Sequence, residues 1–353
     1  MRLWWALAAA VTKVARIITL AVVAVCACRA QTAAELDALR ARMNHDPNAA
    51  KFITSDIDNF WSAYALASGA GTAEDRERIY QREYLDKGSA GLKDFVEERI
   101  ESVKNLTHQI ETHPKYYALL KQVTPRIAEM EPSIRASFRK LKALYNDAVF
   151  PDVYFLIGRM NSGGTMAESG LLIGLEMHGK TQQTDLRKMD NWLKNVIGPV
   201  DELPGIVAHE LVHYQQGPEQ KSLLAQAIRE GSADFVSQLI SGQTINAHLH
   251  TYGDAHEAQL WSGFSKEMKG EDISHWLYQG DKSMDRPADL GYYVGFRITE
   301  AYYEHATDKK KAIRDILTVS DYESFLNESH YPTNLPRSPI TSRLPDRRAL
   351  ARN

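Results

Sequence analysis

Cysteine is nearly missing from this 353-residue chain: the two present, Cys26 and Cys28, both fall near its start. The rest of the chain has no internal disulfide open to it, so its stability must come from packing. A dominant charge sign is missing as well. Lys and Arg number 42 against 45 Asp and Glu, for a net charge of −3, and the two signs are interspersed. Binding nucleic acid calls for a basic surface that neutralises phosphates, so nucleic acid is not an expected partner. No internal repeat is present, and outside the first thirty residues there is no long apolar run. What remains is a chain of ordinary apolar content, long enough for one large domain or two small ones.

The opening segment lacks acids altogether. It carries Arg2, Lys13 and Arg16, then an apolar run from Ile17 to Ala27 that is short for a bilayer-spanning helix. This is the pattern of an export signal over residues 1–30. The stretch "VCAC" (Val25–Cys28) resembles a lipoprotein signal, in which the cysteine is lipidated. Ala30 before an ordinary cleavage point is the other reading. The expected location is therefore the bacterial periplasm or outer membrane, with membrane attachment through Cys28 on the lipoprotein reading. At the other end, residues 331–353 hold four prolines and five arginines and read as an extended tail.

Between these ends, apolar residues from Ala33 to about Asn146 recur at helical spacing, giving an all-helical amino-terminal region over 32–150. The period then changes. "DVYFLIG" (Asp152–Gly158) and "SGLLIGLEM" (Ser169–Met177) read as strands of a small sheet, with the glycine-containing "RMNSGGTMAE" between them. Helices follow at roughly 203–216, 221–241, 254–268, 288–306 and 309–327. The fold class expected is mainly α, of α+β type, with a small sheet over a site-bearing helix in the region 151–330.

That helix contains "GIVAHELVHYQQG" (Gly205–Gly217). Histidines four apart stand on one helical face, so His209 and His213 can offer their imidazoles to one ion. Glu210 is about 100° further around, outside the ligand set but within reach of water on the ion. Pro204 suits a first turn and Gly217-Pro218 ends the run, so the helix is predicted without appeal to the motif. One short turn later comes "LLAQAIREGSADFVSQLI" (Leu223–Ile240), with Glu230 in its middle and Asp234 one turn on. Two imidazoles and a carboxylate leave one tetrahedral corner for water, and Asp234 suits a carboxylate that accepts the outward N–H of a liganding histidine.

"HELVH" followed by "EGSAD" resembles the gluzincin zinc metallopeptidases. The resemblance implies one Zn2+ per chain on His209, His213 and Glu230, Glu210 as general base and Asp234 as the residue that orients a ligand. Together with "GYYVGFRITEAYYE", these motifs also resemble an uncharacterised bacterial family of predicted zinc-dependent proteases, many exported or lipid-anchored and distantly similar to a gliding-motility lipoprotein. That similarity covers about Asp152 to Leu326; the amino-terminal helices are outside it.

The function expected on this basis is zinc-dependent hydrolysis of peptide bonds in a peptide or protein substrate. Zinc acidifies water bound to it, Glu210 takes the proton, and a phenol or imidazole steadies the oxyanion. Tyr292 is the candidate for that last role, followed by Tyr293, with Tyr302, Tyr303 and His305 further along the same helix; a buried aromatic stripe is the plainer reading of any one of them. "SGLLIGLEM" is the candidate edge strand for an extended substrate. His248, His250 and His256 read as surface histidines of a loop. The rival function is an envelope lipoprotein whose zinc fold is a non-catalytic binding or assembly module.

Overall fold

The computed structural model describes residues 42–332, apart from Met284. The signal segment, Cys26, Cys28 and the arginine-rich tail after Pro332 lie outside the described residues. In chain order the elements are β1 (Phe52–Ile53), α1 (Ser55–Ala67), α2 (Ala73–Tyr80), α3 (Ala90–Phe95), α4 (Val103–Thr112), α5 (Pro114–Val123) and α6 (Ile127–Leu144). Then come β2 (Val153–Leu156), β3 (Gly164–Ala167), β4 (Gly170–Gly174), α7 (Asn191–Val196), α8 (Leu203–Gln215), α9 (Leu223–Ser241), α10 (Ala247–Glu267), α11 (Leu290–His305), α12 (Lys309–Leu317) and α13 (Tyr322–Ser329). Single π-helical turns, Gln81–Leu85 and Val96–Ile100, extend α2 and α3. The molecule is mainly helical with one small mixed sheet.

The sheet runs in the order β1-β2-β4-β3, with β1 and β4 parallel to β2 and β3 antiparallel to β4. Two expectations are corrected here. The amino-terminal region is not wholly helical, since Phe52–Ile53 pairs with Val153–Tyr154 across a hundred residues of chain; two residues are too few to carry a strand period. The strand in "SGLLIGLEM" is also not an edge. β4 is buried along its whole length between β2 and β3, and a continuous apolar run is what a strand covered on both faces requires. The edges of the sheet are β1 and β3, the latter drawn from the segment between the two apolar runs.

The helices α8 and α9 lie near their expected bounds. Helix α10 begins seven residues before the expected 254, because Asn246 in the left-handed region starts it and a kink at His256 (φ −125°, ψ 16°) divides its pattern. The segment expected as one helix over 309–327 is two, α12 and α13, separated at Thr318–Asp321, where Asp321 caps the second through Ser324 N–H.

Helix α8 is buried on nearly every side, between the sheet and α6 and α9. Its ends are pinned by two glutamines, one from elsewhere and one its own: Gly205 N–H donates to Gln243 Oε1 at 2.7 Å, and Gln215, the last residue of α8, exchanges hydrogen bonds with the Val149 N–H and C=O at 2.9 Å each. Helix α11 crosses α9 so closely that a Cβ on Gly231 would strike the backbone at Gly295–Phe296, and one on Gly295 would strike the Ala227 carbonyl. Glycine at both positions sets the approach of α11 to the residue before Gly231, which is Glu230.

Candidate metal centre

On α8 the rings of His209 and His213 stand 4.6 Å apart, nearly perpendicular, with their Nε2 atoms at 2.9 Å. Glu230, from the neighbouring α9, brings Oε2 to 3.1 Å from His213 Nε2 and 3.5 Å from His209 Nε2. All three residues are buried.

The outer face of each group is held by another side chain. Gln216 Nε2 donates to Arg229 C=O and Ser232 Oγ, which leaves its Oε1 to accept from His213 Nδ1 at 2.7 Å. Asp234 Oδ1 lies 2.8 Å from His209 Nδ1, at hydrogen-bond distance though not well aligned, while its Oδ2 accepts from Asn246 Nδ2 at 3.0 Å. Tyr278 Oη donates to Glu230 Oε1 at 2.7 Å.

With Nδ1 carrying the hydrogen on both rings, both Nε2 atoms are lone pairs, and they face each other and a carboxylate oxygen. Three acceptors converge with no donor among them, so the arrangement calls for positive charge at their centre. Burial disfavours a charged His209, yet Asp234 and Glu230 outweigh it and hold the imidazole well above its ordinary pKa. Glu230 is correspondingly held well below the carboxylate range, its burial outweighed by the two imidazoles. One proton meets this demand in part; a divalent cation meets it fully. Among the described residues, His209, His213 and Glu230 are the group of donor atoms close enough to share an ion. Two imidazoles and one carboxylate are a donor set suited to zinc.

The cluster opens on a cavity of about 450 Å³, lined by His209, Glu210, Tyr278 and Tyr292 with Trp192, Ile206 and Leu249 on its apolar side. Glu210 is directed into this cavity beside β3, so close to Gly164 that a Cβ there would press on its carboxylate. Burial raises its pKa, against the pull of the imidazoles and, more weakly, of Arg99. Arg99, on the second π-helical turn, donates to Thr165 on β3 at 2.8 Å, so the amino-terminal helices help to build this wall.

Of the five candidates on α11, Tyr292 is the one that lines the cavity, its ring parallel to His209 at 6.3 Å. Tyr293 is buried and donates to Asp254, Tyr302 donates to Asp315, Tyr303 packs on Phe235, and His305 is bonded to the Ala301 carbonyl. The three histidines expected in a surface loop lie on α10 instead. His248 faces the cavity, His250 is buried against Tyr293 and Phe296, and His256 stacks on Tyr252.

Sequence reasoning missed Gln216, Asn246, Gly164 and Tyr278. Gln216 had a signal, being one turn beyond His213 on the same face. Tyr278 had none, since a loop 48 residues after Glu230 brings it there.

Residues 46–333 match the family model described as Gliding motility protein GldB. The chain belongs to this lipoprotein family. The match spans the amino-terminal helices as well as the cluster of His209, His213 and Glu230, and it corrects the resemblance to gluzincin metallopeptidases: the family is one of gliding-motility lipoproteins, and no protease family matches. No curated protein and no solved structure matches the chain. Among the described residues no helix is long and apolar enough to cross a membrane.

Proposed function

We propose that this chain is an envelope lipoprotein in which His209, His213 and Glu230 hold one zinc ion, and that Glu210 beside it makes the site hydrolytic toward peptide or related amide bonds. The observation that carries the reading is the convergence of two imidazole lone pairs and one carboxylate oxygen at the wall of a cavity that also receives Glu210. When bound, the ion would supply Lewis acidity and an acidified water. Glu210, its pKa raised by burial, takes a proton from the water whose oxygen adds to the amide carbonyl and returns it to the amine that leaves. Tyr292 presents a phenol to the same cavity. The outer edge of β3 offers main-chain groups to an extended substrate, in place of the interior strand β4. A small sheet laid over the ligand-bearing helix is in keeping with a zincin-like architecture.

The family match favours a second reading, in which the same metal cluster is a rigid, non-catalytic scaffold and the helical surface engages protein partners at the envelope. A scaffold has no use for a carboxylate at position 210, and that is the point on which the readings part. Metal analysis of the purified protein, with cleavage of a peptide library by wild type and Glu210→Gln, separates them. Zinc retained by both and cleavage only by wild type is the result expected of the hydrolase. Zinc retained with cleavage by neither supports the scaffold, and absence of bound metal in wild type refutes both.

A further inference from the structure

Tyr278 stands beside the cluster at 55% exposed, and its backbone is left-handed at φ +53°. An aromatic residue gains nothing locally from that conformation, which crowds its Cβ against the backbone. The surrounding loop enforces it. Gln279 N–H donates to Asp289 Oδ1 at 2.9 Å while Asp289 N–H donates to Gln279 Oε1 at 3.1 Å, a reciprocal clasp across ten residues. Trp276 and Leu277, both buried, anchor the near end; Gly291 N–H donates to the Trp276 carbonyl at 2.8 Å, and the Arg286 guanidinium lies 4.2 Å over the Trp276 ring. The product of this construction is a phenol Oη at 2.7 Å from Glu230 Oε1.

The two oxygens of Glu230 are thereby given different partners. Oε2 faces the imidazoles and Oε1 faces the phenol. A carboxylate beside a divalent cation can bind through one oxygen or chelate through both, and chelation would occupy the corner that a water or substrate atom needs. A donor on Oε1 opposes chelation. We infer that Tyr278 is a positioning residue that keeps Glu230 a one-oxygen ligand, its loop being strained so that the phenol is delivered to that oxygen. This rests on the metal-site reading above and adds to it a device that the sequence motif does not contain.

The test uses the purified protein, stripped of metal and titrated with Zn2+ and with Co2+, whose visible absorption is strong in four-coordinate sites and weak in five-coordinate ones. Tyr278→Phe keeps the ring and removes the hydroxyl. It is expected to bind zinc about 10-fold to 100-fold more weakly, the range for loss of a group that holds a metal ligand, and to lose cobalt band intensity relative to wild type. Asp289→Ala, which opens the clasp while keeping the phenol, is expected to show a smaller change in the same direction. Equal zinc affinity and an unchanged cobalt spectrum in Tyr278→Phe would overturn the role of Tyr278 and leave the metal site standing. Failure of wild type to bind either ion would instead overturn the metal reading beneath it.

Discussion

Glu176 and His178 are buried titratable residues with opposed effects, and both hold the loop that runs from Gly158 to Gly164 along the cavity. Glu176 accepts the N–H groups of Gly158 and Met160, and His178 Nε2 is bonded to the Gly163 carbonyl at 3.0 Å. Burial pushes the Glu176 carboxyl up from its ordinary 4.5 to about 7, with the backbone donors opposing. Burial also pushes His178 down from 6.5 to about 4. Folded Glu176 therefore binds more protons than the unfolded chain between pH 4.5 and 7, so its contribution to stability falls as pH rises through that window. For His178 the unfolded chain binds more protons between pH 4 and 6.5, so its contribution rises with pH. The two slopes oppose each other where the windows overlap. Glu176→Gln removes the charge but turns an NH2 group toward one of the two backbone donors, so it starts with a pH-independent loss; against that offset its urea stability relative to wild type is expected to improve by roughly 3 kcal/mol between pH 4.5 and pH 7. A constant difference across that range would refute the assignment. At Gly164 a methyl group would press on the Glu210 carboxylate. Gly164→Ala is expected to leave zinc content unchanged and to lower any peptide cleavage by about 100-fold, the scale of a displaced catalytic group.

The elements that carry the proposed ligands were legible because each obeys a local rule. Pro204 in the first turn, Gly217 after the last and histidines at a spacing of four mark α8. Ser222, whose Oγ accepts from Ala225 N–H at 3.3 Å, starts α9. Elements governed by distant partners were not legible. β1 exists because β2 does, and β3 is an edge strand of mostly small residues whose only period is the two-residue turn to β4. The kink at His256 and the left-handed Asn246 hid the first turns of α10, although Asn246 matters to the site through Asp234. The crossing of α9 and α11 belongs to the same class, since "EGS" and "YVGF" name no partner for each other. Gly231→Ala places a methyl group against backbone, where no side chain can give way. Loss of about 1 to 3 kcal/mol by urea denaturation is expected, with weakened zinc binding because Glu230 is adjacent. A stability equal to wild type would mean that the helices are not in backbone contact.

Taken as a whole, the described residues gather more carboxylates than cations around one buried point. Glu210, Glu230 and Asp234 are buried there, and Asp289 faces the same cavity, its pKa raised first by burial. Arg99 and Arg229 are nearby guanidinium groups, engaged with Thr165 and with the Gly217 carbonyl. Carboxylates held this close in a low-dielectric interior repel one another, and the folded state lowers that cost by protonation or by binding a cation. On the metal-site reading, binding and folding are linked: an ion that binds the native cluster and only weakly the unfolded chain stabilises by RT ln(1 + [L]/Kd), about 4 kcal/mol at a thousandfold excess over Kd. Zinc is expected to raise the thermal midpoint of the metal-stripped protein in a concentration-dependent way, and a chelator to reverse it. Asp234→Asn replaces the carboxylate behind His209 by a neutral group, so it should reduce the zinc-dependent rise while making the metal-free protein less sensitive to the charge crowded at this point. A rise of equal size in Asp234→Asn and wild type would show that the carboxylate does not act through the histidine, and a wild-type midpoint indifferent to zinc would remove the cation from the account of how this core is held together.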